Sequence, residues 1–219
     1  MKYVGVLVLL AAAMLAGCND APSGDGRHTS ILGGFGKPRT PPGVVTDAAG
    51  KPVPEPKTPL GVKPRMVRAA DDAVLALWVQ DDHVVAARYA DGAWSPPQPL
   101  EEIFGEAGDA QLATNGRGSA VAVWRHTVGN IQSLRFSRYE SGHWSTPDVL
   151  PGALPRPPGD KAGSLTLEMD DDGNVVAEWP SGFNAQEVQT ARFVPGQGWS
   201  PATSEPVAAA PAAAPSNVQ

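Results

Sequence analysis

Three arginines fall at one repeated place in this chain of 219 residues: Arg88, Arg138 and Arg192, each followed directly by an aromatic ring, Tyr89, Tyr139 or Phe193. On an extended strand each shares a face with an apolar residue, Val84, Leu134 or Val188. A guanidinium on an apolar face must pair with an acceptor or reach a polar rim. Its structural role would be to tie strand to turn through an Asp or a backbone carbonyl. Its functional role would be to hold a ligand. Glu178 is the one charge at a position that the other copies fill with Leu77 and Val123. It either faces a cleft with a raised pKa or faces solvent because the third unit is terminal.

Other chemistry is tested and falls away. Asp170-Asp171-Asp172-Gly173-Asn174 has the look of a calcium loop, but with Gly173 at loop position 6, Trp179 takes position 12, where a bidentate Glu is needed. The apolar strand that follows makes it a hairpin tip instead. His83, His126 and His143 lack the i, i+4 spacing of a helical zinc site, and no G-x-S-x-G, H-E-x-x-H or P-loop occurs. Cys18 is the single cysteine, so neither an intrachain disulfide nor a thiolate metal cluster can form. No metal, no cofactor and no catalytic set are expected. A net charge of −6 without a basic cluster argues against nucleic acid as a partner.

The elements that would carry these residues repeat. All six tryptophans occupy two recurring positions: Trp78, Trp124 and Trp179 in the first half of a unit, Trp94, Trp144 and Trp199 in the second. The second set recurs after 50 and then 55 residues. Each unit reads as four short strands. A first strand (residues 65–69, 110–114 and 164–169) ends in a tip of Asp71-Asp72, Asn115-Gly116 or Asp172-Gly173. The second is the most apolar, with Ala76, Ala122 and Ala177 sharing a face with Trp78, Trp124 and Trp179, while Leu77, Val123 and Glu178 take the other. Apolar residues on both faces require cover from both sides. The third strand ends at the Arg-aromatic pair, and a Gly-containing hairpin leads to Trp-Ser and a proline. Proline cannot donate to a ladder, so the fourth strand lies at an edge or leaves the sheet after Trp. No sustained 3.6-residue period appears beyond residue 17, and the expected class is all-β with three four-stranded antiparallel units.

The pattern G-x-A-x-A-V-W…R-Y…G-x-W-S-x-P, clearest between Gly118 and Pro147, resembles repeats of bacterial surface lipoproteins with sialidase-like or fucose-lectin-like β-propellers. The resemblance covers residues 64–206 and implies a blade for each unit. It departs from those families in lacking the S-x-D-x-G-x-T-W Asp-box and in having three units where a closed ring takes at least about four. It also implies a sugar site. In fucose-type lectins an Arg bonds hydroxyls while a Trp face stacks on C–H groups, which makes Arg88, Arg138, Arg192, Trp94, Trp144, Trp199 and Glu178 the candidate ligand residues. A sialidase-type hydrolase would need an arginine cluster, an acid and a Tyr nucleophile, for which Arg138, Arg192, Glu178 and Tyr139 could serve. The non-catalytic binding or assembly module is the reading adopted, with the hydrolase as its alternative.

Leu15-Ala16-Gly17-Cys18, after the apolar run 4–15, resembles the lipobox of bacterial lipoproteins, which implies a signal peptide over 1–17, cleavage before Cys18 and lipid on that residue. Several acyl chains on one residue satisfy the need for more than one membrane signal. The expected location is the cell envelope. Asn19 leans towards the outer membrane, facing periplasm or surface. Residues 18–63, rich in Pro and Gly, read as a disordered tether, residues 64–206 as the repeat domain, and 207–219 as a disordered Ala/Pro tail. Beyond the membrane, the partners implied are a glycan or an envelope protein. A bare outer face on the first unit, carrying Val74, Leu75 and Leu77, would also favour a homodimer closing six blades. The other arrangement is a monomer folded over on itself.

Overall fold

A strand that is apolar on both faces can be buried only between two layers. The computed structural model describes residues 44–70, 73–152, 165–181 and 187–206, and in it every such strand is central to its own antiparallel sheet. The first sheet runs β1 (Arg65–Ala70), β2 (Ala73–Gln80), β3 (His83–Ala90), then an outer strand in two pieces, β4 (Ala93–Trp94) and β5 (Gln98–Pro99), both paired with β3. The second repeats this with β6 (Glu106–Thr114), β7 (Ala120–Val128), β8 (Ile131–Glu140), β9 (His143–Trp144) and β10 (Asp148–Val149). The third has β11 (Thr166–Met169), β12 (Val175–Ser181), β13 (Glu187–Val194), β14 (Gly198–Trp199) and β15 (Thr203–Pro206). There is no helix among the described residues. The protein is all-β, with three sheets of four ordered antiparallel strands compatible with three blade-like repeats.

The sheets stack head to tail. Leu77, Val84 and Ala86 of the first pack on Ala122 and Trp124 of the second, with Leu75 against Ala120 and Tyr139 beside them. The opposite face of the second sheet, Val121, Val123 and Leu134, packs on Val175, Ala177, Trp179, Ala191 and Phe193 of the third. One rule therefore repeats: the Trp-bearing face of each sheet lies on the Leu/Val face of the sheet before it. Alanines at 76, 122 and 177, each 0 % exposed, let the layers approach closely beside the tryptophans. The first strands β1, β6 and β11 lie beside one another, and Gly118 donates its N–H to the carbonyl of Ala69 at 2.7 Å across two of them.

The outer strand does leave its sheet after Trp, as the prolines require, and then rejoins it as a second short piece. The serine after each Trp closes the gap. Ser95, Ser145 and Ser200 accept the amide N–H of Arg88, Arg138 and Arg192 on Oγ at 3.0, 3.0 and 3.1 Å, and donate their own N–H to the same arginine's carbonyl at 2.8, 2.7 and 2.7 Å. The first strand of the second sheet is longer than expected. It begins at Glu106 and crosses a bulge between Gly108 and Gln111, where Asp109 adopts φ 47°. The Gly there breaks the alternation that marks a strand in sequence.

The two ends of the stack differ. The Trp78 face of the first sheet has no sheet before it; residues of the preceding segment cover it instead. Residues 45–53 form a small hairpin around Asp47, whose carboxylate accepts the N–H groups of Ala49 and Lys51. Val53 is buried, Val62 packs with Ala76, Trp78, Val85 and Ala87, and the Trp94 Nε1–H donates to the Pro54 carbonyl at 2.7 Å. These residues, which precede the repeat domain expected from residue 64, pack on the apolar face of the first sheet. The expected bare face is corrected: Leu75 and Leu77 lie between the first two sheets, and Val74 is 2 % exposed. That removes the exposed area on which the homodimer expectation rested.

At the other end, the outward face of the third sheet carries more polar residues: Thr166, Glu178 and Thr190 form one row across β11, β12 and β13, and Glu168 and Arg192 flank buried Val176 in the next. The signal segment 1–17, Cys18, the tip at 71–72 and the tail 207–219 lie outside the described residues. The covering segment gives a test. A chain starting at residue 44 should be more stable than one starting at residue 64 by about 2–4 kcal/mol in urea unfolding, since the shorter chain uncovers Trp78 and loses Val53 and Val62.

Candidate functional site

Alternation along β3, β8 and β13 sends each arginine and the aromatic residue after it to opposite faces. The second-half tryptophan follows the aromatic: Tyr89 pairs with Trp94, Tyr139 with Trp144 and Phe193 with Trp199, at ring-centroid distances of 5.4, 5.3 and 5.6 Å. No arginine therefore meets the Trp of its own repeat. Arg88 and Arg138 lie on the face towards the aromatic pair of the next sheet. The Arg138 guanidinium lies 4.3 Å over the Phe193 ring and pairs with Glu140. A cation over an aromatic face contributes on the order of 1 kcal/mol, so this arginine helps to hold the second and third sheets together. Arg88 reaches the corresponding place beside Tyr139, and there the space stays open. Arg192, on the terminal face, has no following sheet among the described residues.

The open space is a cleft of about 480 Å³ between the first two sheets. Its floor is small and apolar, from Ala69, Ala70 and Ala73. Arg88 and Tyr139 line it from β3 and β8, Glu140 from the end of β8, and Arg117 and Ser119 from the β6–β7 turn. The β6–β7 turn is held firmly. Asn115 Oδ1 accepts the N–H groups of Arg117 and Ser119 at 2.9 and 3.1 Å, and the Thr114 hydroxyl donates to the Ser119 carbonyl at 2.9 Å. Arg117 also reaches Asp171 at 3.4 Å, with both side chains more than half exposed, so this contact is weak and easily exchanged. The Glu140 carboxylate is paired with Arg138; the cleft thus offers guanidinium donors, a hydroxyl and one aromatic ring over a small-residue floor.

Of the expected site residues, only Arg88 lines this cleft. Trp94 turns to the covering N-terminal segment, Trp144 packs between the first two sheets, and Trp199 packs between the second and third. Arg138 is engaged by Phe193, and Glu178 and Arg192 sit on the terminal face. The hydrolase set is separated in the same way: Tyr139 faces the first sheet, Arg138 the third, and Glu178 the far side of the third. Arg117, Ser119 and Glu140 were missed because only the stacking of one sheet's turns on the next brings them together. The Asp170 carboxylate accepts the N–H groups of Asp172 and Asn174 and the Asn174 side-chain amide, which makes this acidic run a hairpin tip.

Glu178 lies half-buried on the polar end of the stack. Burial pushes its carboxyl above the ordinary carboxylate range, Glu168 and Glu205 add to this, and Arg192 opposes it. Compared with known proteins, the chain matches no protein-family model and no curated protein at a significant level.

A carboxyl whose folded pKa is raised binds more protons folded than unfolded, so it costs stability once pH rises above its ordinary 4.5 and through the raised value. Glu178→Gln should therefore raise the urea midpoint at pH 7.5 by a small amount, limited by the carboxylate's access to water. The advantage should disappear at pH 4.

Proposed function

We propose that this protein is an envelope lipoprotein, anchored through Cys18 on an outer-membrane surface facing periplasm or exterior, whose three-sheet, propeller-like module binds a hydroxyl-rich ligand without catalysis. The observation that carries the reading is the cleft between the first two sheets. Guanidinium groups of Arg88 and Arg117 suit hydroxyl and carboxylate oxygens, the Ser119 hydroxyl suits a further polar group, and the Tyr139 ring suits the apolar side of a sugar. A glycan of the envelope has this mixture of groups.

The anchor reading rests on Leu15-Ala16-Gly17-Cys18 and the apolar run before it. The binding reading draws support from the separation of Tyr139, Arg138 and Glu178 onto different faces, since acid, nucleophile and arginine clamp must converge on one bond for hydrolysis.

Two measurements test the proposal. Cys18→Ser should release the mature protein from membranes or block its processing, and a variant that still fractionates with membranes as a mature form refutes the anchor. On a glycan array the chain should retain a defined set of sugars, and Arg88→Ala should weaken that binding about tenfold or more while the protein still melts cooperatively. Turnover of aryl glycosides that Glu178→Gln abolishes would instead establish the hydrolase alternative.

A further inference from the structure

Four of the seven large apolar side chains exposed among the described residues gather at one end of the second sheet. Val44, Leu60 and Val149 lie apart in the chain, whereas Ile103, Phe104, Val128 and Ile131, at 39, 87, 43 and 60 % exposed, sit on two adjoining loops. One is the crossover from β5 to β6. The other is the tip between β7 and β8, where Val128 and Ile131 are register partners. Gly105 joins them. A Cβ at that position, with φ 133°, would stand 2.2 Å from His126 Nε2, 2.6 Å from the Thr127 carbonyl and 2.8 Å from Val128 Cγ2, so only glycine permits the contact.

The crossover is held at both ends. Glu101, almost fully buried, pairs with Arg135 Nε at 2.7 Å and accepts the Trp124 Nε1–H at 3.3 Å. Three residues on, the Phe104 carbonyl accepts the Nε2–H of buried His126 at 3.1 Å. Burial keeps that imidazole neutral by lowering its pKa from 6.5, with Arg135 and His83 acting in the same direction and Glu101 opposing. These contacts fix the backbone that presents the Phe104 ring to water. A Phe left exposed forgoes about 1.5–3 kcal/mol of burial, and a rigid exposed aromatic among smaller apolar neighbours is the form that an interface anchor takes.

The charges around the ring select its partner. Glu102 and Glu106 flank it and are exposed. The cations nearest in the fold, Arg125 and Arg135, are turned inward to Asp109 and Glu101, and are 11 and 17 % exposed. An anionic bilayer surface would repel both glutamates, and carrying them into any headgroup layer costs their hydration. We infer that Phe104 and its neighbours form a docking knob for a protein partner that offers an apolar pocket rimmed by Lys or Arg, matching Glu102 and Glu106. This surface lies at the opposite end of β7 and β8 from the cleft, and it stands whether or not Cys18 carries lipid.

The test uses the full chain in its native cell, with a photo-crosslinking phenylalanine analogue replacing Ile131. The expected result is one discrete protein adduct, reduced at least tenfold by Phe104→Ser and by the pair Glu102→Lys and Glu106→Lys, with Lys or Arg beside the crosslinked position in the partner. Four results would overturn the inference: no adduct, adducts with lipid alone, an adduct with a second copy of this chain, or an adduct indifferent to charge reversal. The purified Phe104→Ser variant should melt as the parent does. A sharply lower melting temperature would make the ring a structural element and sink the docking role.

Discussion

Everything in this fold depends on the central strands, with β2 and β7 apolar on both faces and β12 apolar on the face that meets the second sheet. A strand apolar on both faces has no stable place at a surface, so its sheet needs a layer on either side. Burying one Val, Leu or Trp side chain contributes about 1.5–3 kcal/mol, and each central strand carries several. The stack satisfies this twice inside, between the first and second sheets and between the second and third. Its ends are treated differently. Val53, Val62 and the Pro54 carbonyl cover the Trp78 face, whereas the far face has polar residues, Glu178 among them, where earlier repeats have Leu77 and Val123. Terminal units of repeat proteins need such a face to remain soluble.

The same stacking decides what the repeated polar residues do. Because Arg and its following aromatic point to opposite faces, a repeat cannot build an Arg–Trp site alone. It can only offer its arginine to the next sheet and its aromatic pair to the previous one. Between the second and third sheets this becomes the Arg138–Phe193 contact. Between the first and second, the alanine floor at 69, 70 and 73 leaves the space unfilled, and a cleft results. Identical sequence positions thus give a structural clamp in one interface and a candidate ligand site in the other, according to the size of the side chains opposite.

Much of the architecture was legible in the sequence because it rests on local patterns. Period-2 alternation around Trp78, Trp124 and Trp179 marks the central strands, Asp91-Gly92 and Ser141-Gly142 mark hairpins, and the proline after Trp-Ser marks the break in the outer strand. Three features were not legible. The covering segment, with Val53 and Val62 set among prolines and lysines, has no periodicity, since its burial is decided by the face it meets. The bulge at Asp109 interrupts the pattern that defines a strand. The cleft draws Arg88 from β3 and Arg117 from the β6–β7 turn, and no spacing rule connects them. Pairing Arg with Trp within a repeat was reasonable by proximity, but their register places them on opposite faces.

With the covering segment on one outer face of the stack and a face rich in Glu, Thr and Arg at the other, the cleft and the apolar knob both lie at strand ends. The turns after β6 and β8 build the cleft, and the turn after β7 with the β5–β6 crossover builds the apolar knob. These surfaces are separated by the length of β7, nine residues and so roughly 30 Å of extended chain. That distance exceeds the reach of any side chain and about three Debye lengths at physiological salt, so a charge placed at one end has little direct effect on the other. A ligand in the cleft and a partner on Phe104 would then be held independently by one short module, an arrangement that suits a protein whose work is to bring two things together.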